Sequence, residues 1–318
     1  MRSASTAGVP TSLLSVSAAP NLGYAWSQAD RTLRPILGIP GAAQLGQSVV
    51  PAAAYDLAAT DAAGRYAILL GENQSVYSMA LPGGAPVLLA MKAAYRLRIV
   101  FAPLGTFALV FAPGSSSATV IANLSGNLQL RSTTFAGPML DAAVNDSGNV
   151  AAAFTSANGV SIQVSPVTGQ SVSVAAGMRG IGGMAFLAGT DDLLLGDAPG
   201  NRLLRVQSAS TSPGVTTVPT GGLLKTPASI GTSRTARWAV VANGAEQSAV
   251  RIDLTGGTAA QLSTCTCQPA LVAQLNGDGA FRLTALQDGP LWIADASRAG
   301  FPVQFVPGIP SLVTAGGK

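Results

Sequence analysis

The residues Asp191, Asp192 and Asp197 are the best candidates for a metal site in this sequence, because three carboxylates fall within seven residues. A hard cation such as Ca²⁺ takes several oxygen ligands, which such a group can supply. The LLL tripeptide between them, however, is typical of a buried strand. Its length would separate Asp197 from the other two by roughly 15–20 Å. The alternative is that Asp191 and Asp192 belong to the first turn of a blade and Asp197 to the next turn, and we expect no cofactor.

Histidine is absent from all 318 residues. This excludes Ser-His-Asp and Cys-His nucleophile systems and histidine-ligated zinc or iron. Any catalysis would have to depend on carboxylates, Lys, Tyr or Arg. The two glutamates, Glu72 and Glu246, are the test of that alternative. If both faced a common channel, a carboxylate- or metal-dependent hydrolase of the lactonase type would be favoured.

The two cysteines, Cys265 and Cys267, lie in the segment STCTCQP. Two thiolates without further ligands at suitable spacing are too few for a zinc site. Alternate residues of a strand point to opposite faces, so an extended C-x-C would not bridge. A tight loop ended by Pro269 would permit a disulfide. Free thiols, a local disulfide and a redox pair therefore remain open.

Six segments share one pattern, a Gly or Ser turn followed by an apolar stretch: AAGRYAILL, PLGTFALVF, DSGNVAAAF, AGTDDLLLG, TSRTARWAV and GDGAFRLTA. Their turn residues are spaced by 41, 43, 41, 44 and 46 positions: Gly64, Gly105, Gly148, Gly189, Ser233 and Gly279. A period in the low forties is typical of a four-stranded propeller blade, which buries its apolar faces only against neighbouring blades. The repeat therefore predicts an all-β, single-domain β-propeller over 1–318.

A second hairpin follows the first in each period, and a similar hairpin stands near the N-terminus. We expect Tyr24 in that hairpin to be equivalent to Tyr77, 53 residues on, with an insertion near 41–50. Six complete repeats and one partial repeat predict seven blades, with six blades and a capping hairpin as the alternative. The predicted units are a partial N-terminal blade, six repeat blades and a closing strand or tail: 11–49; 50–91, 92–135, 136–177, 178–220, 221–264 and 265–308; 309–318. Residues 13–18 are expected to add a strand to the partial blade.

Charged residues make up only 10% of the chain, against about 25% in an average soluble domain. The formal charge is +4, yet the basic residues are scattered and aromatics are 5%, so we expect no nucleic-acid partner. The uncharged stretches 99–130 and 147–178 are broken by Pro and Gly at hairpin spacing, which predicts strands and no membrane span. The composition favours an extracytoplasmic protein, periplasmic or secreted, although the N-terminus shows no clear signal peptide.

The turn segments TDAAGRYA, NDSGNVA and NGDGAFR resemble the S-x-D-G-[RK]-x-[LIVA] turn of bacterial WD40-like, TolB-like and YVTN-like β-propellers. Departures from that pattern are clear: Gly-His and Trp-Asp dipeptides, the YVTN tetrapeptide and the sialidase box are missing. The resemblance implies the fold and not an activity. We therefore expect a noncatalytic, monomeric scaffold or binding protein, which contacts a protein or small ligand through its loops and central channel.

Overall fold

The computed structural model describes residues 19–92, 96–286 and 289–308. Within them the strands form seven antiparallel sheets, six with four strands and the N-terminal one with three. Each sheet keeps its strands in chain order, and the first strands of successive four-stranded sheets lie side by side around a common axis. The predicted seven-bladed β-propeller is confirmed.

The first four blades contain strands β1 to β15: β1 (Asn21–Ser27), β2 (Thr32–Leu37), β3 (Gln44–Leu45); β4 (Tyr55–Thr60), β5 (Tyr66–Gly71), β6 (Ser75–Ala80), β7 (Val87–Lys92); β8 (Arg98–Phe101), β9 (Phe107–Phe111), β10 (Ser117–Ala122), β11 (Gln129–Thr134); β12 (Met139–Val144), β13 (Val150–Ser156), β14 (Gly159–Ser165), β15 (Val172–Met178). The last three blades contain β16 to β27: β16 (Ile181–Phe186), β17 (Leu193–Asp197), β18 (Arg202–Gln207), β19 (Gly214–Val218); β20 (Pro227–Thr232), β21 (Trp238–Asn243), β22 (Ser248–Asp253), β23 (Gln261–Thr264); β24 (Ala273–Gln274), β25 (Ala280–Arg282), β26 (Leu291–Asp295), β27 (Val303–Val306). A 3₁₀ turn, Glu72–Gln74, joins β5 to β6.

The repeated Gly turn joins the first strand of a blade to the second. Gly64, Gly105, Gly148 and Gly189 have φ between +65° and +84°, in the left-handed region that glycine adopts without steric cost. In the sixth blade the turn residue is Ser233, and Ala236 takes the positive φ instead. We name the side of the ring that carries these turns the turn face.

The hydrophobic core lies between blades, because each sheet packs both of its faces against a neighbour. The second strands of the blades are strongly buried, as shown by Leu69, Leu109 and Leu195, which are fully buried. The outermost strands carry exposed residues such as Leu88. Burial therefore falls from the second strand to the rim, which explains why apolar runs mark the second strands in the sequence.

The predicted register of the N-terminal hairpin is wrong by one strand. A parallel bridge joins Ser27, at the end of β1, to Leu286 in the segment that follows β25, the second strand of the last blade. The turn after β1 also contacts the start of the next blade through Arg31, whose Nε donates to Tyr55 O at 2.8 Å. Strands β1, β2 and β3 therefore take the second, third and fourth positions of their blade, and Tyr24 is equivalent to Tyr66 rather than to Tyr77. Both hairpin types alternate in hydrophobicity, so periodicity alone did not distinguish them.

The first position of the N-terminal blade has no strand among the described residues. The two segments predicted to complete this blade, 13–18 and the closing strand or tail at 309–318, lie outside the described residues. Within the described part of the chain, no helix has the length and hydropathy needed to cross a membrane.

Candidate functional site

A central cavity of about 480 Å³ runs along the propeller axis. Its wall is made by the first strands of six blades and, at the N-terminal blade, by Gly23 and Tyr24 of β1. The lining extends from Asp61 and Pro103 on the turn face to Ala270 on the opposite side. Small-ligand sites have volumes of roughly 300–1,000 Å³ and are lined by apolar groups with a few polar ones. This cavity is therefore the candidate binding site.

Asp141 is a polar group in this wall and comes directly after a bulge in β12. Bulges re-aim side chains, and here the carboxylate accepts a hydrogen bond from Arg98 Nη1 at 3.0 Å. Burial raises the pKa of Asp141, and the charge of Arg98 together with hydrogen bonds from backbone N–H groups offsets this only in part. The pair places a carboxyl group and a guanidinium side by side in the wall.

Arg282, on β25, is another charged residue in the cavity wall. Its Nη1 donates to Tyr24 O at 3.3 Å, and its Nε is buried without a hydrogen-bond acceptor in the described part of the protein. Burial lowers the pKa of Arg282 to about 10, so the guanidinium remains positively charged at neutral pH. This side chain was not singled out from the sequence. An alignment of the repeats would have revealed it, because Arg282 stands in a column that is otherwise apolar.

The three candidate metal ligands lie in separate hydrogen-bond networks. Asp191 Oδ2 accepts from the backbone N–H and the hydroxyl of Ser210, at 2.7 and 2.6 Å. Asp192 Oδ2 accepts from Arg205, and Asp197, at the other end of β17, accepts from Arg202 Nε at 2.8 Å. The three carboxylates are thus engaged by donors of the chain itself.

Within 19–92, 96–286 and 289–308, no three side chains of the types Cys, Asp and Glu come together as a metal-binding group. The two glutamates do not line the central cavity either. Glu72 and Glu246 both lie in exposed turns that join the second and third strands of their blades. The convergence that would have favoured a carboxylate-based hydrolase is therefore not seen among these residues.

Several acidic side chains of the turn face link neighbouring blades. Asp146 Oδ1 accepts from Leu104 N at 2.8 Å, and its Oδ2 accepts from Gly189 N at 2.9 Å, so one carboxylate contacts the blade on either side. Asp278 accepts from the backbone N–H and hydroxyl of Thr235 in the same way. Asn145 does both, since its Oδ1 accepts from Ser147 N and Asn149 N within the turn and its Nδ2 donates to Asp191 Oδ1 of the next blade at 3.0 Å. The carboxylates of this face act as structural connectors.

Cys265 and Cys267 lie in the connection between β23 and β24, and their sulfur atoms are bonded to each other. The Cα atoms are 5.1 Å apart, which a bent loop allows and an extended strand would not. Cys267 is buried, whereas Cys265 is partly accessible. Neither cysteine lines the central cavity.

No protein-family model matches the chain, and no curated protein matches it. Solved structures share its fold at low sequence identity. A functionally unknown protein from Desulfotomaculum acetoxidans is 13% identical, with 91% of this chain and 100% of that chain covered and a TM-score of 0.60. Apo AztD from Citrobacter koseri is 16% identical, with 93% and 84% covered and a TM-score of 0.61. Virginiamycin B lyase from Staphylococcus aureus is 12% identical, with 79% and 83% covered and a TM-score of 0.55.

These likenesses support the fold and do not decide the function. The similar structures include a lyase and a protein of unknown function, so the likeness assigns no activity to this chain. The function has to be argued from the residues of the cavity.

Proposed function

We propose that this seven-bladed β-propeller is a noncatalytic binding protein that takes a small ligand into its central cavity. The observation that carries the proposal is the cavity itself, about 480 Å³ and bounded by strands of all seven blades. Its wall combines Ala, Val, Leu and Ile side chains with a few polar groups, the composition expected of a ligand site. A lactonase-type alternative lacks a supporting observation, since the carboxylates described above are held in ion pairs and turns.

The scattered basic residues support a ligand other than nucleic acid. Arg98, Arg202 and Arg205 form ion pairs with Asp141, Asp197 and Asp192, at 3.0, 2.8 and 2.6 Å. Nucleic-acid binding depends on cationic groups that are free to neutralise phosphates. These arginines are already neutralised by carboxylates of the chain.

We further propose an extracytoplasmic location. Two observations support it, the bond between Cys265 and Cys267 and the low content of charged residues. Disulfides persist in oxidising compartments and are rare where glutathione and thioredoxin keep thiols reduced. Fractionation of the source cells with an antibody tests this: signal in the cytosolic fraction alone would contradict it.

A thermal-shift screen of the purified protein tests the binding function. The panel contains small carboxylates, sugars, amines and neutral aromatic amides, each at millimolar concentration. We expect one chemical class to raise Tm, since a ligand at 100 times its Kd stabilises the native state by about 2.7 kcal/mol. The same ligand should be recovered unchanged after incubation with the protein.

Ala270→Trp is the variant that links binding to the cavity. Ala270 is exposed and lines the cavity, so an indole there occupies the entrance and should abolish the Tm shift. Ala245→Trp is the matched control, because Ala245 is also exposed but lies in a turn outside the cavity lining. Binding that survives Ala270→Trp, or turnover of the ligand, would contradict the proposal.

A further inference from the structure

Arg282 interrupts an apolar position that is shared by the other complete blades. We count the residues of the second strand that pair with the first strand, starting from the turn. In each of these blades the second such residue is apolar and fully buried: Ile68, Leu109, Ala151, Leu194 and Val240. Arg282 has the same register in β25, where it pairs with Ala273. The shared position faces the next blade around the ring, so Arg282 points towards the N-terminal blade.

The guanidinium of Arg282 is poorly satisfied by the described residues. Among these residues it makes the 3.3 Å hydrogen bond from Nη1 to Tyr24 O, and its Nε is buried without an acceptor. Arg251 provides a comparison. That buried arginine donates to Ala296 O, Arg298 O and Gln261 Oε1, at 2.8, 2.8 and 2.6 Å. Arg282 is partly exposed and its Nε is buried, and cationic groups held out of bulk water are usually paired, so Arg282 calls for an anionic partner.

The charges of the cavity wall point to the same conclusion. Asp141 is paired with Arg98, and Asp61 is paired with Arg65 at 3.0 Å. Among the described residues of the lining, Arg282 is therefore the charge that no carboxylate offsets. A cavity with apolar walls and one uncompensated cation attracts an anion, because the low-dielectric walls strengthen the interaction.

The position of Arg282 also makes it reachable from the cavity. At the N-terminal blade the described lining of the cavity consists of Gly23 and Tyr24 of β1. Arg282 lies beside Tyr24, is partly exposed and belongs to the same lining.

We propose that Arg282 is the anchor of this cavity for a small apolar carboxylate, whose anionic group it binds while the aliphatic wall contacts the remainder. Arginine suits the task because its planar guanidinium matches the geometry of a carboxylate and stays charged when buried. The inference rests on the proposed binding function and specifies its ligand class.

Benzoate and its neutral isostere benzamide are the probes, measured by isothermal titration calorimetry on the full chain. We expect the wild type to bind benzoate at least tenfold more tightly than benzamide. Arg282→Met, which removes the charge and keeps an unbranched side chain, should erase this preference. Arg282→Lys should retain it in weaker form. Arg298→Met, at an exposed arginine outside the cavity, should leave it unchanged.

Equal affinities of the wild type for benzoate and benzamide would overturn the inference. An Arg282→Met variant that still prefers benzoate would do the same. A third result would also overturn the inference: the wild type does not bind benzoate, and Arg282→Met is less stable than the wild type. That result would mean that the chain itself provides the acceptor for Arg282. Binding of neutral ligands that is blocked by Ala270→Trp, without any preference for carboxylates, would refute the carboxylate anchor alone. If no class of ligand binds to the protein, the proposed binding function is refuted as well.

Discussion

Asp141 shows how one residue of the wall couples stability to pH. Burial raises the pKa of Asp141, so the native state retains this proton to a higher pH than the unfolded chain does. The folded protein then binds more protons than the unfolded one in the interval from about pH 4 to the folded pKa, and stability falls as pH rises through that interval. The ion pair with Arg98 reduces this cost without cancelling it.

Asp141→Asn tests this coupling. Asparagine does not titrate, so we expect the free energy of unfolding of the wild type, minus that of the variant, to decrease as pH rises above about 4. The difference should level off once Asp141 is ionised in both states. Urea unfolding at a series of pH values measures it, and Glu72→Gln, in an exposed turn, is the control for removing a charge. A difference that does not change with pH would show that Asp141 keeps an ordinary pKa.

The disulfide between Cys265 and Cys267 closes a loop of only three residues. In the chain-entropy account such a short loop stabilises the native state by about 1.6 kcal/mol at most. We therefore expect the double variant Cys265→Ser/Cys267→Ser to lose no more than this in urea unfolding, and the loss should match that of the wild type reduced with dithiothreitol. A loss of about 4 kcal/mol, which the same account gives for a long closed loop, would contradict this view.

At the scale of elements, the turns of one face hold the blades in register. Asp146 connects the turn before β9 and the turn before β17. Asp146→Ala leaves two backbone N–H groups without this acceptor, and we expect it to cost about 1.5–3 kcal/mol, the range for hydrogen bonds to a charged group. Chemical denaturation measures the change, with Glu72→Ala as the exposed control. A loss below about 0.5 kcal/mol would mean that water replaces the carboxylate.

The sequence was sufficient to predict the blade structure and the number of blades, because the Gly turn and the buried second strand recur in each period. It was not sufficient to place Tyr24, since successive hairpins of a blade carry the same alternation and only their contacts across the ring distinguish them. It also missed Arg282. Hydrophobic periodicity treats one Arg in a strand as an exposed residue, whereas the register of the sheet places it between two blades.

At the scale of the whole molecule, the ring closes between its last and first described blades. Asn276 N donates to Leu22 O at 2.6 Å, and Asn276 Nδ2 donates to Asn21 O at 3.0 Å, across 255 residues of chain. Leu22 packs there in a buried cluster with Leu275 and Leu291. An open repeat array loses its terminal repeats first, but in a closed ring the loss of any blade exposes two interfaces.

This closure predicts that the seven blades unfold as one unit. Leu22→Ala should cost about 2–5 kcal/mol, as large-to-small core substitutions do. It should shift the unfolding midpoint equally for a protein that retains only Trp26, in the first blade, and one that retains only Trp238, in the sixth. The measurement is the fluorescence of these two single-tryptophan proteins during urea unfolding.

The control is Leu130→Ala on the outer strand β11, where Leu130 is 36% exposed, and it should shift neither midpoint appreciably. A Trp26 transition that precedes the Trp238 transition would show that the N-terminal blade detaches first, and that the contacts between Leu22 and the last blade do not make the ring cooperative.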